Sequence, residues 1–566
     1  MKILMYALIF TIISTAGIAQ QAQTLSDEFY QQQTHKANEL YEKHAYAEAA
    51  TALTLLATNP QIFRFQDWPE RLYDLACDQA LAGQSAQALD TLKRTFDLGS
   101  GPYFSSRHLA NDPDLASLRS DPKFQQLLAC VVKDESLWTD NPAIATPYKP
   151  VLSDEEKIAG LSKIWSEARY NFPFFQRVSS LDWDRQFMEY LAQIKSTQTT
   201  AEYYRLLMRF VATLQDGHTE VWPPNEVRDE LFATPPLRTQ LVEHEVLVTE
   251  VYDPSLQAQG LKVGVQIDAI DGLPVKDYAA RFVMPYASGS TVQDRMSRTF
   301  GYMLLRGDKA KSIALTIRDA NGTTKSTIIH RYCEASSQCT WPEQKKTDLK
   351  MLEDNVAYLA VNEFVDNAGA KAMREHFQSI AASDGLIIDL RYNNGGNQFN
   401  AMAILAMLTN HSVPNVSFRE IDYQPFLRAS GFAPEWKYGN AEDVKPDPDF
   451  YYAKPVIVLT GAGTFSAAEN FVAIFDAMKR GTLVGEATPG STGDSVIFKL
   501  PGGGTARIMM ADVEYPDKSR FEGVGISPQV RVKPTISEIR QKKDAALEYA
   551  RHALIKSSSK VEKGSD

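Results

Sequence analysis

Four short apolar runs, VAYLAVNEF (356–364), GLIIDLR (385–391), KPVIVLT (454–460) and TLVGEAT (482–488), are separated mostly by stretches with helical spacing. Runs this short and rich in aliphatic residues read as strands, and strands alternating with helices build a largely parallel sheet. No other feature constrains the fold as tightly, because a parallel sheet has to bury both of its faces. The pattern also says where chemistry belongs. In such layers reacting groups gather where strands end and helices begin, which directs attention to the residues after Leu390, Thr460 and Ala487.

The remaining chain must fold around other cores, since 566 residues exceed what one hydrophobic core holds. Three or four domains are expected. From Asp27 to Val132 apolar residues recur at three and four, as in RLYDLACDQALAGQSAQALDTLKRTFDLG, the pattern of paired helices. Large-residue and Ala-rich helices alternating across a glycine turn resemble tetratricopeptide repeats. Such a TPR-like domain serves either as a concave peptide-binding surface or as a spacer. The linker TDNPAIATPYKPVLSDEE then leads into a second helical stretch from Asp154 to Leu214, with Ser153 as cap and an acidic first turn. Between Pro236 and His330 the pattern turns to short strands, and Asn321-Gly322 marks a hairpin. The expected layout is a leader over 1–19, a TPR-like helical domain over 24–140, a helical cap subdomain over 150–235, a β-rich domain over 236–332, an α/β core over 345–535, and a C-terminal helix and polar tail over 536–566.

A net charge of -11 leaves no basic face to neutralise phosphates, which excludes nucleic acid as a partner. Lys2, the apolar stretch from Ile3 to Ile13 and the small residues up to Ala19 form a secretory signal. That stretch is shorter than the roughly 20 apolar residues of a membrane span, and no later run approaches that length. An exported protein, periplasmic or secreted, without a membrane span is expected. Cys333 and Cys339 share one short polar segment and suit either a local bridge or two thiols. Cys77 and Cys130 fall in helical apolar patterns and read as buried free thiols. No metal or cofactor motif is present, so no cofactor is expected.

After the run KPVIVLT comes GAGTFSAAENF, which puts Ser466 at a Gly-rich strand-to-helix turn. Taken alone, Ser466 and Glu469 read as a capping box, each satisfying the other's backbone donors. The segment GLIIDLRYNNGGN (385–397) changes that reading, because Gly395 and Gly396 allow a backbone to approach a ligand closely. The pairing of IIDLRYNNGG with a later TFSAAE, preceded by QDGHT (215–219), resembles the catalytic core of the carboxyl-terminal processing proteases, tricorn protease and the interphotoreceptor retinoid-binding modules. The resemblance extends over about 150–535, and Gly260 to Val275 resembles the PDZ domains embedded in such proteases. It implies a helical cap, a PDZ-like domain and a ClpP/crotonase-like α/β core acting on polypeptide or peptide substrates.

Two mechanisms occur in that superfamily, a serine with a lysine base and a serine with a histidine oriented by a carboxylate. The lysine would fall in a segment like GEATPGSTG (485–493), where Ser491 stands instead, and no lysine lies between Gly481 and Val496. The resemblance therefore implies Ser466 as nucleophile, His218 as base and Glu522, in RFEGVGISP, as orienter. A serine hydroxyl is a weak nucleophile at its own pKa, which is why a base must take its proton. Backbone amides at Ala467, Gly395 and Gly396 would receive the oxyanion. Tricorn has a serine immediately before its histidine; here Gly217 stands there, so that hydroxyl is expected to be absent. Asp216 reads as a turn or solvent residue. With an imidazole base, activity should fall as pH drops through about 6.5. A noncatalytic binding protein on the same core is the alternative, and retention of Ser466, His218 and Glu522 argues against it.

Overall fold

The computed structural model describes residues 25–99, 104–332 and 345–562. The leader and the Cys333–Cys339 segment lie outside them. The apolar runs assemble into one six-stranded sheet in the order Val530–Arg531, Thr482–Gly485, Val456–Thr460, Gly385–Asp389, Val356–Val361, Thr347–Met351. Every pairing is parallel except the last, where Thr347–Met351 runs antiparallel to Val356–Val361. The three central strands are buried at every position, as expected of a sheet covered on both faces.

One face packs against the helices Gln398–Ala406 and Ala467–Ala477, with Phe471, Phe475, Ile404 and Leu405 in the shared core. The helix Ala545–Glu562 covers the other face, setting Ala546, Ala550 and Leu554 against Tyr358, Ile387, Ile457 and Val484. A Cβ on Gly385 would lie 2.8 Å from Leu554 Cδ2, so this helix seats where the strand has no side chain. The C-terminal helix expected as a separate appendage is in fact a layer of the α/β core.

The helices Asp154–Asn171, Trp183–Lys195 and Thr200–Ala212 bury Leu161, Trp183, Tyr204 and Phe210 in one cluster with Phe498, Leu500 and Ile508 of a late hairpin. That hairpin, Ser495–Lys499 with Thr505–Met509, takes Glu220–Trp222 as its third strand, pairing Val221 with Ala506. These helices are thereby tied to the hairpin by a strand pairing between segments far apart in sequence, and the Met509 amide adds a bond to Thr219 Oγ1, 290 positions away. Between them the chain forms an antiparallel sheet ordered Leu237–Val242, Glu245–Val251, Gln266–Ile270, Ile313–Arg318, Thr324–Ile329, with its own apolar core. The last two strands form the hairpin expected at Asn321-Gly322, where Gly322 has φ +86°.

The chain divides at Asn141 into two units. Within the first, six α-helices among the described residues between Asp27 and Trp138 bury two apolar clusters. Cys77 is a buried free thiol, as expected. Cys130 is also free but exposed, because it lies on the outer side of the helix Pro122–Trp138 while Phe124, Leu127 and Val131 face inward.

Leu554 is 2% exposed and packs in the apolar cluster between this helix and the sheet. Leu554→Ala should therefore destabilise the second unit by roughly 2–5 kcal/mol, seen as a lowered midpoint in thermal or denaturant unfolding.

Candidate active site

The strand Val456–Thr460 ends in a short turn that delivers Ser466 to the start of the helix Ala467–Ala477. Thr464 Oγ1 donates to the Leu390 carbonyl and accepts from the Gly461 amide, and the Phe465 amide donates to the Asn393 carbonyl. These bonds tie the turn to the end of the neighbouring strand. Ser466 has φ 59° and ψ -126°, a conformation that costs a non-glycine residue about 1–3 kcal/mol and persists only when its surroundings impose it. Its hydroxyl makes no capping bond to the helix. The capping-box reading is overturned, because a cap needs an extended backbone and Glu469 turns its carboxyl to Gly490 and Ser491 instead.

His218 follows the helix Thr200–Ala212 and immediately precedes the strand Glu220–Trp222. Its loop is fixed on several sides. The Gly217 amide donates to Ser290 Oγ, Arg298 Nη2 donates to the Gly217 carbonyl, and the His218 amide donates to Asp216 Oδ2. The ring stacks on Phe465 with centroids 4.3 Å apart. His218 Nε2 lies 3.0 Å from Ser466 Oγ and Nδ1 lies 2.9 Å from Ser491 Oγ. For Nε2 to accept the Ser466 proton, Nδ1 must carry its own and donate it to Ser491. Burial holds the imidazole well below its ordinary 6.5, and the nearby cations Arg507 and Arg298 add to the effect.

Glu522 is not at the ring. Both ring nitrogens face serines, and the fully buried Glu522 accepts the Thr492 amide at 2.7 Å and pairs with Arg177 Nη1 at 3.3 Å. The direct orienting contact expected of it is made by Ser491. The physical reason lies at Gly217: a Cβ added there would sit 2.6 Å from Ser491 Oγ. A hydroxyl thus occupies the space beside residue 217 after all, brought in from a distant segment. Asp216 is also corrected. It is 1% exposed rather than solvated, and it accepts the Ser290 hydroxyl as well as the His218 amide, holding the loop and not the ring.

Gly395 and Gly396 have φ +92° and +135°, values that favour glycine. Gly395 packs against Ser466, since a Cβ on it would lie 2.6 Å from Ser466 Cβ. Its amide, however, donates to Asn393 Oδ1 at 2.8 Å and is already used. Gly395 therefore serves as a gap for close approach and not as an oxyanion donor. The amides of Ala467 and Gly396 carry no such bond among the described residues.

Sequence reasoning missed Ser491 as a partner of His218, Glu469 as an anchor, and the cations Arg177 and Arg298. One signal was available, since Ser491 follows the strand Thr482–Gly485, at one of the strand ends where chemistry was to be sought.

Residues 355–532 match the sequence profile of peptidase family S41. The chain carries a peptidase domain of family S41. The chain is 24% identical over 343 residues to a carboxyl-terminal-processing protease of a Picosynechococcus species, covering 58% of the chain and 73% of that protein. It is 23% identical over 362 residues to a carboxyl-terminal-processing protease of a Synechocystis species, covering 62% and 75%. Among solved structures it resembles mature CPAF complexed with lactacystin, with a TM-score of 0.55 at 17% identity over 71% of this chain and 98% of that one.

With His218 as the base proposed below, the lowered imidazole pKa would put the acid limb of activity below the 6.5 that an unperturbed histidine would set. The protein should then keep most of its cleavage rate at pH 6, and a pH series of kcat/KM checks this. The same shift has a stability sign. Below pH 6.5 the unfolded chain takes up a proton at this histidine that the folded chain refuses, so this group makes the fold less stable as pH falls.

Proposed function

We propose that this chain is an exported serine endopeptidase that hydrolyses peptide bonds of unfolded proteins or peptides, with Ser466 as nucleophile and His218 as base. The observation that carries the reading is the 3.0 Å contact from His218 Nε2 to Ser466 Oγ, made by a half-buried serine on a strained strand-to-helix turn. His218, buried and neutral, takes the hydroxyl proton as Oγ attacks the scissile carbonyl. It then returns that proton to the leaving amine as the C–N bond breaks. Water cleaves the resulting acyl-enzyme by the same proton transfers. The amides of Ala467 and Gly396 meet the oxyanion; losing one such donor typically costs about 3 kcal/mol of transition-state stabilisation. Glu522 takes part at one remove, through Thr492 beside Ser491, in place of the direct contact of a Ser-His-Glu triad.

A cavity of about 260 Å³ beside the Gly395-Gly396 turn, lined by Val365, Asn394, Lys345 and Lys346, would accept a substrate side chain next to the scissile bond. The β-rich region over 236–332 is read as a PDZ-like peptide holder, the helices over 24–140 as a TPR-like module, and residues 1–19 as the export signal. The processing of carboxyl termini named for the relatives makes polypeptide chains the substrate class carried over to this one.

Incubation of the mature protein and its Ser466→Ala variant with denatured proteins, with new chain ends read by mass spectrometry, tests the reading. Cuts by the parent alone are expected, with the variant's thermal stability changed by no more than about 1 kcal/mol, the scale of one hydrogen bond. Equal cutting by both, or none by either, would overturn it.

A further inference from the structure

Glu469 lies three residues after the nucleophile, at the start of the helix Ala467–Ala477, and its side chain is fully buried. One carboxyl oxygen accepts the Gly490 amide at 2.8 Å and the other accepts the Ser491 amide at 2.7 Å. The next amide, that of Thr492, belongs to Glu522, and the Thr492 hydroxyl donates to Asn470 Oδ1 at 2.8 Å. Three successive amides of one loop are thus fixed by two carboxyl groups. Ser491 sits in the middle and touches the reacting pair twice. Its hydroxyl faces His218 Nδ1 at 2.9 Å, and its carbonyl accepts the Ser466 amide at 3.0 Å.

Glu469 is referred to the nucleophile by the helix itself, because its amide donates to the Ser466 carbonyl at 2.8 Å. Whatever the carboxyl holds is therefore held in register with Ser466. A buried carboxyl is an expensive way to anchor a loop that has no other task. Burial pushes it up to about 8, against the Thr488 hydroxyl and the two amides that favour its charged form. Glu522 and Tyr515 also feel its charge.

We propose that Glu469 is a positioning residue of the S41 site: by clamping the amides of Gly490 and Ser491 it sets the Ser491 hydroxyl on His218 Nδ1 and the Ser491 carbonyl on the Ser466 amide. Glu469 acts through Ser491 and touches neither Ser466 Oγ nor the ring. The role needs two acceptor oxygens on one planar group. Glutamine has one acceptor and one NH₂, which would face the second amide donor to donor. The inference rests on the reading of Ser466 and His218 as the reacting pair.

The test compares parent, Glu469→Gln, Ser491→Ala and the double variant, each first shown by circular dichroism to be folded. Three readouts are taken: the rate at which a fluorophosphonate labels Ser466, kcat and KM on a peptide, and the ¹⁵N NMR signals of the His218 ring. E469Q should label at least about tenfold more slowly and lose a similar factor in kcat with KM nearly unchanged, since small misplacements of a reacting group cost on this scale. Its His218 Nδ1 signal should move from the parent's position. The double variant should lose clearly less than the product of the two single losses, the mark of residues acting in one chain of contacts.

Labelling of E469Q at the parent's rate, full multiplication of the two losses, or an unmoved His218 signal would each overturn the proposal. Should E469Q fail to fold, Glu469→Asp, which keeps the charge but is one CH₂ shorter, goes through the same comparison with the same expectations. If the parent neither labels nor cleaves, the peptidase reading fails by itself. The NMR comparison still decides whether Glu469 sets the His218 contact.

Discussion

The structure depends on holding one residue where an L-amino acid does not want to be. Ser466 has a positive φ, and the bonds around it leave it no alternative. The Phe465 amide is anchored to Asn393, the Ser466 amide to Ser491, and the glycine at 395 lets a second turn press against its Cβ. Strain of this kind survives only if the neighbours are more rigid than the strained residue. Here the neighbours are the ends of three adjacent parallel strands, buried at every position but Thr482. The hydroxyl is consequently aimed away from the helix that follows it and towards a histidine 248 positions earlier in the chain.

That histidine arrives from another layer of the molecule. The helices before it share a core with the late hairpin 495–509, and a strand of three residues docks it there. The site is therefore a meeting of four segments: the loop at 215–219, the glycine turn at 395–396, the nucleophile turn and the loop at 488–492. Segments 288–298 brace two of them, with Ser288 and Ser290 on Asp216 and Thr291 and Gln293 on the carbonyls of Pro489 and Thr488. The geometry of the site comes from this crossing of constraints.

Much of this was legible in the sequence. The parallel sheet followed from the four apolar runs, and the ends of those runs are where Ser466, Gly395 and Ser491 stand. Ser466 and His218 were legible through their motifs, and the geometry brings them together. What could not be read was the traffic of side chains between loops. Ser491 stood out in the sequence only as the absence of a lysine, and its partner is 273 positions away. Glu469 obeys the local grammar of a capping box, and only the inverted backbone of Ser466 turns it elsewhere. Glu522 stands one amide away from the expected contact, a displacement below the resolution of any motif. Cys130 shows the same limit on the scale of a helix, because apolar spacing identifies the buried side without telling which intermediate position turns outward.

The last layer of the core is the helix Ala545–Glu562, which covers the face of the sheet opposite the nucleophile helix. A chain made from its N-terminus forward exposes that face until this helix has emerged. The strands that carry Ser466 then have bare aliphatic side chains on one side, and the strained turn lacks the stiff platform it needs. The strained turn is thereby conditional on a helix that packs against the opposite face of its sheet.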